Sequence, residues 1–343
     1  MRKTPGILAL TAVCAWAVTA LPILGYSSAT GFLLGGYVIS GLENSLPGSS
    51  VSLDAYYGTA GVIKFQPSVT LVTQSGVLQA SLESRKLLDK QWLGWGNGTD
   101  PDSSAGMDLE MYALKVEYSL PLSEVFFATV GAEGRFSTVF NIQESPVWDE
   151  MPGQVFDETF TAGLGGGLTA VFPHAGPGTL LLEARGFFQE GQVSYSGITG
   201  RTRYSLNPWH NGGIAAAGRL HRHFNAAETP VPYAPGIGSN VDFRGYSDHR
   251  FTGSYWTILQ LEVSQKVLEL KDEEGRTAIS LSLAAFTEAG RAGESLEEVF
   301  QNGYHHDFGG GLRIGAGEQA SMRFDAGWGD EGMVISTGFS SAL

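Results

Sequence analysis

The sequence predicts an all-β protein, a closed antiparallel β-barrel that spans a membrane. Three observations indicate this fold: apolar and polar residues alternate along many short segments, glutamate and arginine recur together in the polar set, and long and short connections alternate along the chain. Alternation with a period of two places apolar side chains on one face of a strand and polar side chains on the other. A barrel with lipid outside and a polar, ion-paired interior fits this pattern.

The start of the chain has the features of a secretory signal peptide. A charged pair, Arg2-Lys3, precedes an apolar stretch that ends in small residues at Ala20, and the cut could fall as late as Tyr26. A transmembrane anchor is the alternative, but the apolar run is short and no stop-transfer charge cluster follows it. The predicted domains are a signal peptide over residues 1–20 and an outer-membrane barrel over residues 27–343.

Composition excludes two classes of function. The formal net charge of −14 argues against nucleic acid as a partner. Cys14 is the only cysteine and lies inside the predicted signal peptide. The mature chain is therefore predicted to lack disulfides and thiol chemistry.

Alternating segments recur along the mature chain. A soluble sandwich also alternates, but it leaves sheet edges to protect and carries its charges on an outer face. Here nearly every segment has an apolar face, and aromatic residues lie at the ends of these faces, which favours the membrane barrel. The apolar sets are Leu78, Ala80 and Leu82; Tyr112, Leu114, Val116, Tyr118 and Leu120; Phe126, Ala128, Val130 and Ala132; Leu182, Ala184 and Phe188; Ile279, Leu281, Leu283 and Ala285; and Met322, Phe324, Ala326 and Trp328.

The strand count is predicted from the same segments and from the loops. Ten segments precede the segment Val241–Glu262 and five follow it, but a barrel with both termini in the periplasm needs an even number. We predict sixteen strands, with fourteen as the next choice. The uncounted strand is expected between Tyr26 and Thr73, where the alternation is weakest and Pro67 interrupts a strand.

The segment Val241–Glu262 resembles a known family. It contains Arg244, Gly245 and Tyr246 in a polar loop, followed by a strand that reaches Glu262. Together with Arg323–Gly329, which reads RFDAGWG, it is similar to the barrel of BamA/TamA-type outer-membrane proteins, also called bacterial surface antigens. The resemblance covers roughly residues 240–343, and Trp92–Asn97 resembles a loop of members without periplasmic modules.

The resemblance implies a site that holds the loop in place. In the family, the loop folds into the barrel lumen and its arginine meets acidic residues on inner strand faces. Residue by residue, this arginine is Arg244 and the first acid is Glu262. The second acid lies in a Phe-x-Asp-x-Gly pattern that here reads Phe286–Gly290 and places Glu288 where the family has aspartate. The residues predicted to hold the loop in the lumen are thus Arg244, Gly245, Tyr246, Glu262 and Glu288.

The sequence departs from the family in two further ways. Members that assemble or secrete proteins carry periplasmic POTRA modules, whereas here the predicted strands begin within about ten residues of the signal. The chain ends in Leu343 where an aromatic residue is usual, and the nearest aromatic residue is Phe339.

The sequence predicts no enzyme, cofactor or metal site. It contains no Gly-x-Ser-x-Gly elbow and no phosphate-binding loop. His221 and His223 lie two apart on a predicted strand, but polar lumen residues explain them better than a metal. His305-His306-Asp307 is typical of acid–histidine pairs in barrel hydrolases, yet no partner nucleophile is recognisable.

The resemblance therefore implies an integral barrel of the bacterial outer membrane with a loop inserted in its lumen. The expected partners are outer-membrane lipid and a periplasmic or outer-membrane protein. Three alternatives stay open: an assembly or translocation factor that works with a separate periplasmic partner, a passive porin, and a barrel hydrolase.

Overall fold

The structure, a computed structural model, describes residues 18–27, 31–42, 46–92, 99, 104–145, 148, 158–226, 229–238, 243–271, 275, 277–301, 303–316 and 320–341 of the chain. The first seventeen residues of the predicted signal peptide, most of the Trp92–Asn97 loop and Leu343 lie outside them. No helix in the described part of the chain is long and apolar enough to cross a bilayer.

The described chain is almost entirely β-strand. One antiparallel sheet of sixteen strands has the order β1 to β11 and then β14 to β18. Its strands are β1 (Val18–Ser27), β2 (Gly31–Gly41), β3 (Ser50–Gly58), β4 (Val62–Val72), β5 (Val77–Trp92), β6 (Ala105–Pro121), β7 (Phe126–Phe140), β8 (Glu158–Ala175), β9 (Gly178–Gly191), β10 (Tyr195–Trp209), β11 (Gly212–Phe224), β14 (Tyr255–Lys271), β15 (Thr277–Gly293), β16 (His305–Ala316), β17 (Ala320–Gly329) and β18 (Gly332–Ser341).

The connection from β11 to β14 contains small elements of its own. A 3-10 turn spans Val231–Tyr233, and β12 (Gly236–Ile237) pairs with β13 (Phe251–Thr252). A second 3-10 turn, Glu298–Phe300, lies between β15 and β16. We call residues 225–254 the long loop.

The two ends of the sheet meet. Each strand pairs with its neighbour in sequence order, and the first strand, β1, also contacts the last strand, β18. Contact between the first and last strands is a condition for closing a sheet into a barrel.

The N-terminal strands account for the segment that the sequence pattern left uncounted. Four strands, β1 to β4, occupy Val18–Val72. Since β1 begins at Val18, it overlaps the predicted cleavage region, and a cut at Ala20 would remove its first residues; the cleavage site stays a prediction. Pro67 lies within β4 opposite Leu53 of β3, while the register with β5 is interrupted beside it. Proline has no N–H to donate to that ladder.

The polarity of the two sheet faces is opposite to that of a soluble protein. Large apolar side chains face outwards: Val130, Leu164 and Leu283 are 62%, 69% and 53% exposed. On the other face, Thr129 and Glu288 are only 9% and 2% exposed. A soluble protein rarely exposes so broad an apolar surface.

The long loop packs against the polar face of the sheet and forms two apolar clusters there. The loop makes apolar contacts with two separate groups of strands on this one face, β4–β7 and β14–β15. One cluster joins Ala234 of the loop to Val62, Leu87, Trp92, Ala105, Met107, Leu109 and Val139. The other joins Ile237, Phe243, Tyr246 and Phe251 of the loop to Ile258 and Ala292.

Candidate functional site

Arg244 of the long loop forms a buried ion-paired contact with two strands. Its backbone N–H donates to Glu288 Oε2 at 2.7 Å, and its Nε donates to Glu288 Oε1 at 2.9 Å. Its Nη1 donates to Glu262 Oε2 at 2.6 Å. The side chain of Arg244 is 4% exposed, so these charge-assisted bonds lie away from bulk water. Glu262 and Glu288 come from adjacent strands, β14 and β15.

The strands β16 and β17 extend this contact into a network. Arg313 donates to Asp325 Oδ1 at 2.6 Å and to Glu262 Oε2 at 3.1 Å. Asp325 Oδ2 also lies 3.6 Å from Arg244 Nη1 and 3.8 Å from Arg323 Nε. The carboxylates of β14, β15 and β17 are therefore bridged by Arg244 of the loop and Arg313 of β16.

The surroundings keep Arg244 charged. Its guanidinium lies 3.5 Å from the centroid of the Phe286 ring, a cation–π contact. Burial alone would lower the pKa of Arg244, but the carboxylates of Glu288 and Glu262 raise the pKa above its usual value.

Gly245 is required by space rather than by backbone conformation. It lies in a turn closed by the Tyr246 N–H, which donates to the Phe243 carbonyl at 3.2 Å, but its φ is not positive. A Cβ at Gly245 would lie 2.5 Å from Asp307 Cβ and 3.0 Å from the Gly329 backbone N. The glycine lets the loop approach β16 and β17, and its N–H donates to Asp307 Oδ2 at 2.6 Å.

Tyr246 packs on the polar face of the sheet beside Gly329. Its hydroxyl donates to the His306 carbonyl at 3.1 Å and accepts from the Asp330 N–H at 3.3 Å. Burial raises the pKa of Tyr246 to about 12, so the phenol is protonated at neutral pH. A Cβ at Gly329 would lie 2.6 Å from the tyrosine ring, so Gly329 provides its space.

A second arginine fixes the C-terminal half of the loop. Arg250, which is 3% exposed, donates through Nε to Glu331 Oε1 at 2.5 Å. Its Nη1 bonds to the Thr99 hydroxyl, and its Nη2 donates to the Thr99 carbonyl at 2.6 Å. The neighbouring Phe251 stacks on His305 with ring centroids 3.9 Å apart. Arg250 thus joins the loop to the β17–β18 turn and to the β5–β6 connection.

The N-terminal half of the loop is held by the opposite part of the sheet. Thr229 Oγ1 lies 2.7 Å from His223 Nε2, and Tyr233 stacks on Tyr195 at 6.2 Å. The Arg135 guanidinium lies 5.5 Å from the Tyr233 ring. The long loop is therefore attached near both of its ends.

The histidines singled out in the sequence have other neighbours. His221 Nδ1 lies 2.8 Å from Thr199 Oγ1, and its ring stacks on Trp256 at 5.0 Å. Among the described residues, no group of three or more His, Cys, Asp or Glu is arranged to hold a metal ion. In the His305-His306-Asp307 segment, Asp307 accepts the Gly245 N–H.

The structure brings together Arg244, Gly245, Tyr246, Glu262 and Glu288. Sequence reasoning missed three further members of the site: Asp307, Arg313 and Asp325. Asp307 had been considered only for hydrolysis. Asp325 lies inside the RFDAGWG motif, which therefore contained a usable signal.

Comparison with solved structures finds the same architecture. BamA from Haemophilus ducreyi lacking POTRA domains 1–3 is similar with a TM-score of 0.61 and 14% identity, over 95% of this chain and 70% of that chain. CdiB from Escherichia coli is similar with a TM-score of 0.63 and 11% identity, over 94% of this chain and 61% of that chain. The chain has the BamA-type fold.

A third structure agrees on this fold. CdiB from Acinetobacter baumannii is similar with a TM-score of 0.54 and 13% identity, over 94% of this chain and 59% of that chain. The chain thus spans about three fifths of the length of the CdiB chains. No protein-family model matches the sequence, and no curated protein matches it. The predicted resemblance to BamA/TamA-type barrels is confirmed at the level of the fold.

Proposed function

We propose that the chain is an integral outer-membrane β-barrel of the BamA/TamA type, with the long loop inserted in its lumen and held there by Arg244. The observation that carries the proposal is the contact of Arg244 with Glu262 and Glu288 on the polar face of the sheet. The BamA-type fold, the exposed apolar face and the contact between β1 and β18 support a closed barrel in lipid.

The lengths of the connections support an orientation. Short turns join β6 to β7, β8 to β9 and β10 to β11 at one end of the sheet. Long connections join β5 to β6, β7 to β8 and β11 to β14 at the other end. Outer-membrane barrels have short periplasmic turns and long external loops, so the long loop enters the lumen from outside the cell.

Burial makes the Arg244 contact energetically important. Removing one partner of a buried ion pair leaves the other charge buried and uncompensated, which costs on the order of 3–5 kcal/mol. An exposed pair of the same residues would contribute less than about 1 kcal/mol. The loop is therefore a fixed part of the folded barrel, and it obstructs passive flow.

Fractionation and conductance test this proposal. The mature protein should sediment with outer membranes, resist extraction by carbonate, and migrate differently on gels before and after heating. In planar bilayers it should conduct little, and Arg244→Ala should increase the conductance as the loop loosens. A mature chain that is soluble and monomeric without detergent would contradict the barrel, and a wide steady conductance would favour the porin.

A second candidate function is assembly or translocation of proteins together with a separate periplasmic partner. The observation that favours it is the fold shared with BamA and CdiB. In the family that the sequence resembles, members with such activities carry periplasmic modules, and this candidate function assigns their role to a partner chain. Cross-linking in cells with probes in the short turns, such as Ser123 and Asn211, should then capture one defined periplasmic protein. Cross-linking to lipid alone would favour the first candidate function over the second.

A further inference from the structure

A motif for signal-peptide cleavage ends directly before the first strand of the sheet. β1 begins at Val18, and the sequence directly before it reads Ala15-Trp16-Ala17. Small residues at the first and third positions before the cut are typical of such cleavage sites. A cut after Ala20 has alanine at the first of these positions but the β-branched Val18 at the third. A cut after Ala17 therefore matches the motif better.

The segment before such a cut has the parts of a complete signal peptide. The charged pair Arg2-Lys3 is followed by the apolar stretch Ile7–Cys14, which is eight residues long. Signal peptides have roughly 15–30 residues with an apolar stretch of roughly 7–15 residues. A signal peptide of seventeen residues that ends at Ala17 lies within both ranges.

β1 is paired with β2 from its first residue to its last. Val18 lies opposite Ser40, and Ser27 lies opposite Gly31, with no interruption of the register between them. β1 also contacts β18, the last strand of the sheet. The folded protein therefore uses the whole of β1 from Val18 onwards.

The length of β1 leaves no residue to spare. The strand has ten residues, and a β-strand needs about 9–11 residues to cross a bilayer. A cut after Ala20 removes three of the ten and leaves seven, and a cut after Tyr26 leaves only Ser27. The three lost residues lie opposite residues 38–40 of β2. Backbone groups of β2 would then lose their partners within the membrane, where unpaired groups are costly.

Val18 lies at the end of the sheet that has the short turns. It is opposite Ser40, close to the end of β2, and β2 runs in the same direction as β6, which is followed by a short turn. This end is periplasmic in the proposed orientation. A cut before Val18 places the new α-ammonium group in water there, whereas a cut after Ala20 places it about 10 Å further along the strand. A charge within the membrane-spanning part of the sheet is costly.

We propose that a signal peptidase hydrolyses the peptide bond between Ala17 and Val18. The oxygen of a water molecule forms a bond to the carbonyl carbon of Ala17, and the bond from that carbon to the nitrogen of Val18 breaks. Ala17 leaves as a carboxylate, and the two protons of the water end on the nitrogen of Val18 as an ammonium group. The mature chain is residues 18–343, with β1 intact. The need for ten residues rests on the proposed barrel, whereas the motif and the pairing of β1 do not.

The mass of the protein purified from outer membranes tests the position of the cut. We expect the mass of residues 18–343, and N-terminal sequencing that begins at Val18. A chain that begins at Met1, at Leu21 or at any later residue would overturn the proposal. The gel shift on heating is measured on the same sample. A chain that begins at Val18 but shows no gel shift would support the cut and contradict the barrel, so the two failures are distinguished.

Two alanines three residues apart provide matched variants. Ala17→Leu places a large residue directly before the proposed cut, so we expect loss of the mature band and accumulation of the precursor in a pulse–chase. Ala20→Leu should be processed as the wild type is and keep the gel shift, because Ala20 is exposed in the sheet. The reverse behaviour, with processing lost in Ala20→Leu and kept in Ala17→Leu, would place the cut after Ala20 and contradict the proposal.

Refolding tests the structural reason for this position. Mature chains that begin at Val18 and at Leu21 are produced without a signal peptide and refolded in detergent. The first should give the heat-resistant form, and the second should lose most of it, because its β1 lacks three paired residues. Equal yields of the heat-resistant form would contradict the need for the whole of β1.

Discussion

Arg244 contacts Glu288 through three nitrogen atoms: the backbone N at 2.7 Å, Nε at 2.9 Å and Nη2 at 2.8 Å. Both oxygens of the carboxylate are used, and Glu288 is 2% exposed. Gln260 adds a fourth donor at 2.8 Å to Glu288 Oε1. Because the backbone of the loop takes part, the contact fixes the position of the chain as well as that of the side chain.

Replacement of Arg244 should destabilise the protein strongly. Arg244→Ala leaves Glu288 and Glu262 without their shared cation, and we expect a loss on the order of 3–5 kcal/mol in the free energy of unfolding. Denaturant titration of the protein in detergent, followed by the gel shift, measures this loss. Arg244→Lys should recover only part of it, because an ammonium cannot reproduce the fork.

A double-mutant cycle tests whether Arg244 and Glu288 act together. Glu288→Gln removes the charge that Arg244→Ala would leave uncompensated. The double variant should therefore lose less stability than the sum of the two single variants. Strict additivity would show that the two residues are not coupled. Ser282→Ala, on the same strand, serves as the uncoupled partner.

Gly245→Ala should weaken the attachment of the loop through a steric clash. The added Cβ would meet Asp307 Cβ at 2.5 Å, and overpacking of this kind costs roughly 1–3 kcal/mol. Gly134→Ala is the matched control, because nothing lies within 4 Å of a Cβ placed there. Heat resistance on gels should fall for Gly245→Ala and stay unchanged for Gly134→Ala. Equal behaviour of the two variants would show that the loop does not press against β16.

Arg250→Ala should free the C-terminal half of the loop. The change removes the bonds to Glu331 and Thr99, and we expect faster proteolysis of the long loop in intact cells. Arg222→Ala removes an arginine from the rim of the sheet and should leave proteolysis unchanged. Protection equal to that of the wild type in Arg250→Ala would contradict an anchoring role for this residue.

The two faces of β15 should tolerate charge differently. Leu283 is 53% exposed on the apolar face, so Leu283→Arg should cost roughly 2–4 kcal/mol near the middle of the membrane. Ser282→Arg points to the polar face and should cost much less. Unfolding free energies in lipid vesicles measure both changes. Similar costs at the two positions would contradict the assignment of the faces.

The sheet could be predicted largely from alternation, because a strand with lipid on one side and a polar lumen on the other has to alternate. The start of the sheet could not be predicted: the barrel was expected from residue 27, whereas β1 begins at Val18, inside the apolar stretch of the predicted signal. An apolar run of this kind has no period-two alternation that would distinguish a β-strand from a signal peptide.

The candidate site was predictable only in part. Arg244, Glu262 and Glu288 follow from the resemblance, but Asp307 and Arg313 come from a strand whose register cannot be read from the sequence. Asp307 is placed opposite Glu288 by the β15–β16 pairing, and Arg313 opposite Arg323 by the β16–β17 pairing. Pairing of this kind depends on the whole sheet, so only the structure shows that Asp307 reaches the loop and that Arg313 reaches Glu262.

A disulfide between the long loop and β16 tests most directly the claim that the loop is inserted in the barrel. In a Cys14→Ala background, Gly245→Cys and Asp307→Cys are combined, because a Cβ at Gly245 lies 2.5 Å from Asp307 Cβ and a shift of about 1 Å gives the spacing of a disulfide. The control combines Gly245→Cys with Leu283→Cys, which faces the opposite side of the sheet. We expect oxidation of intact cells to link the first pair, seen as a change in gel mobility that reductant reverses, and to leave the second pair unlinked. No link in the first pair, with free labelling of residue 245 by an impermeant maleimide, would contradict the insertion of the loop.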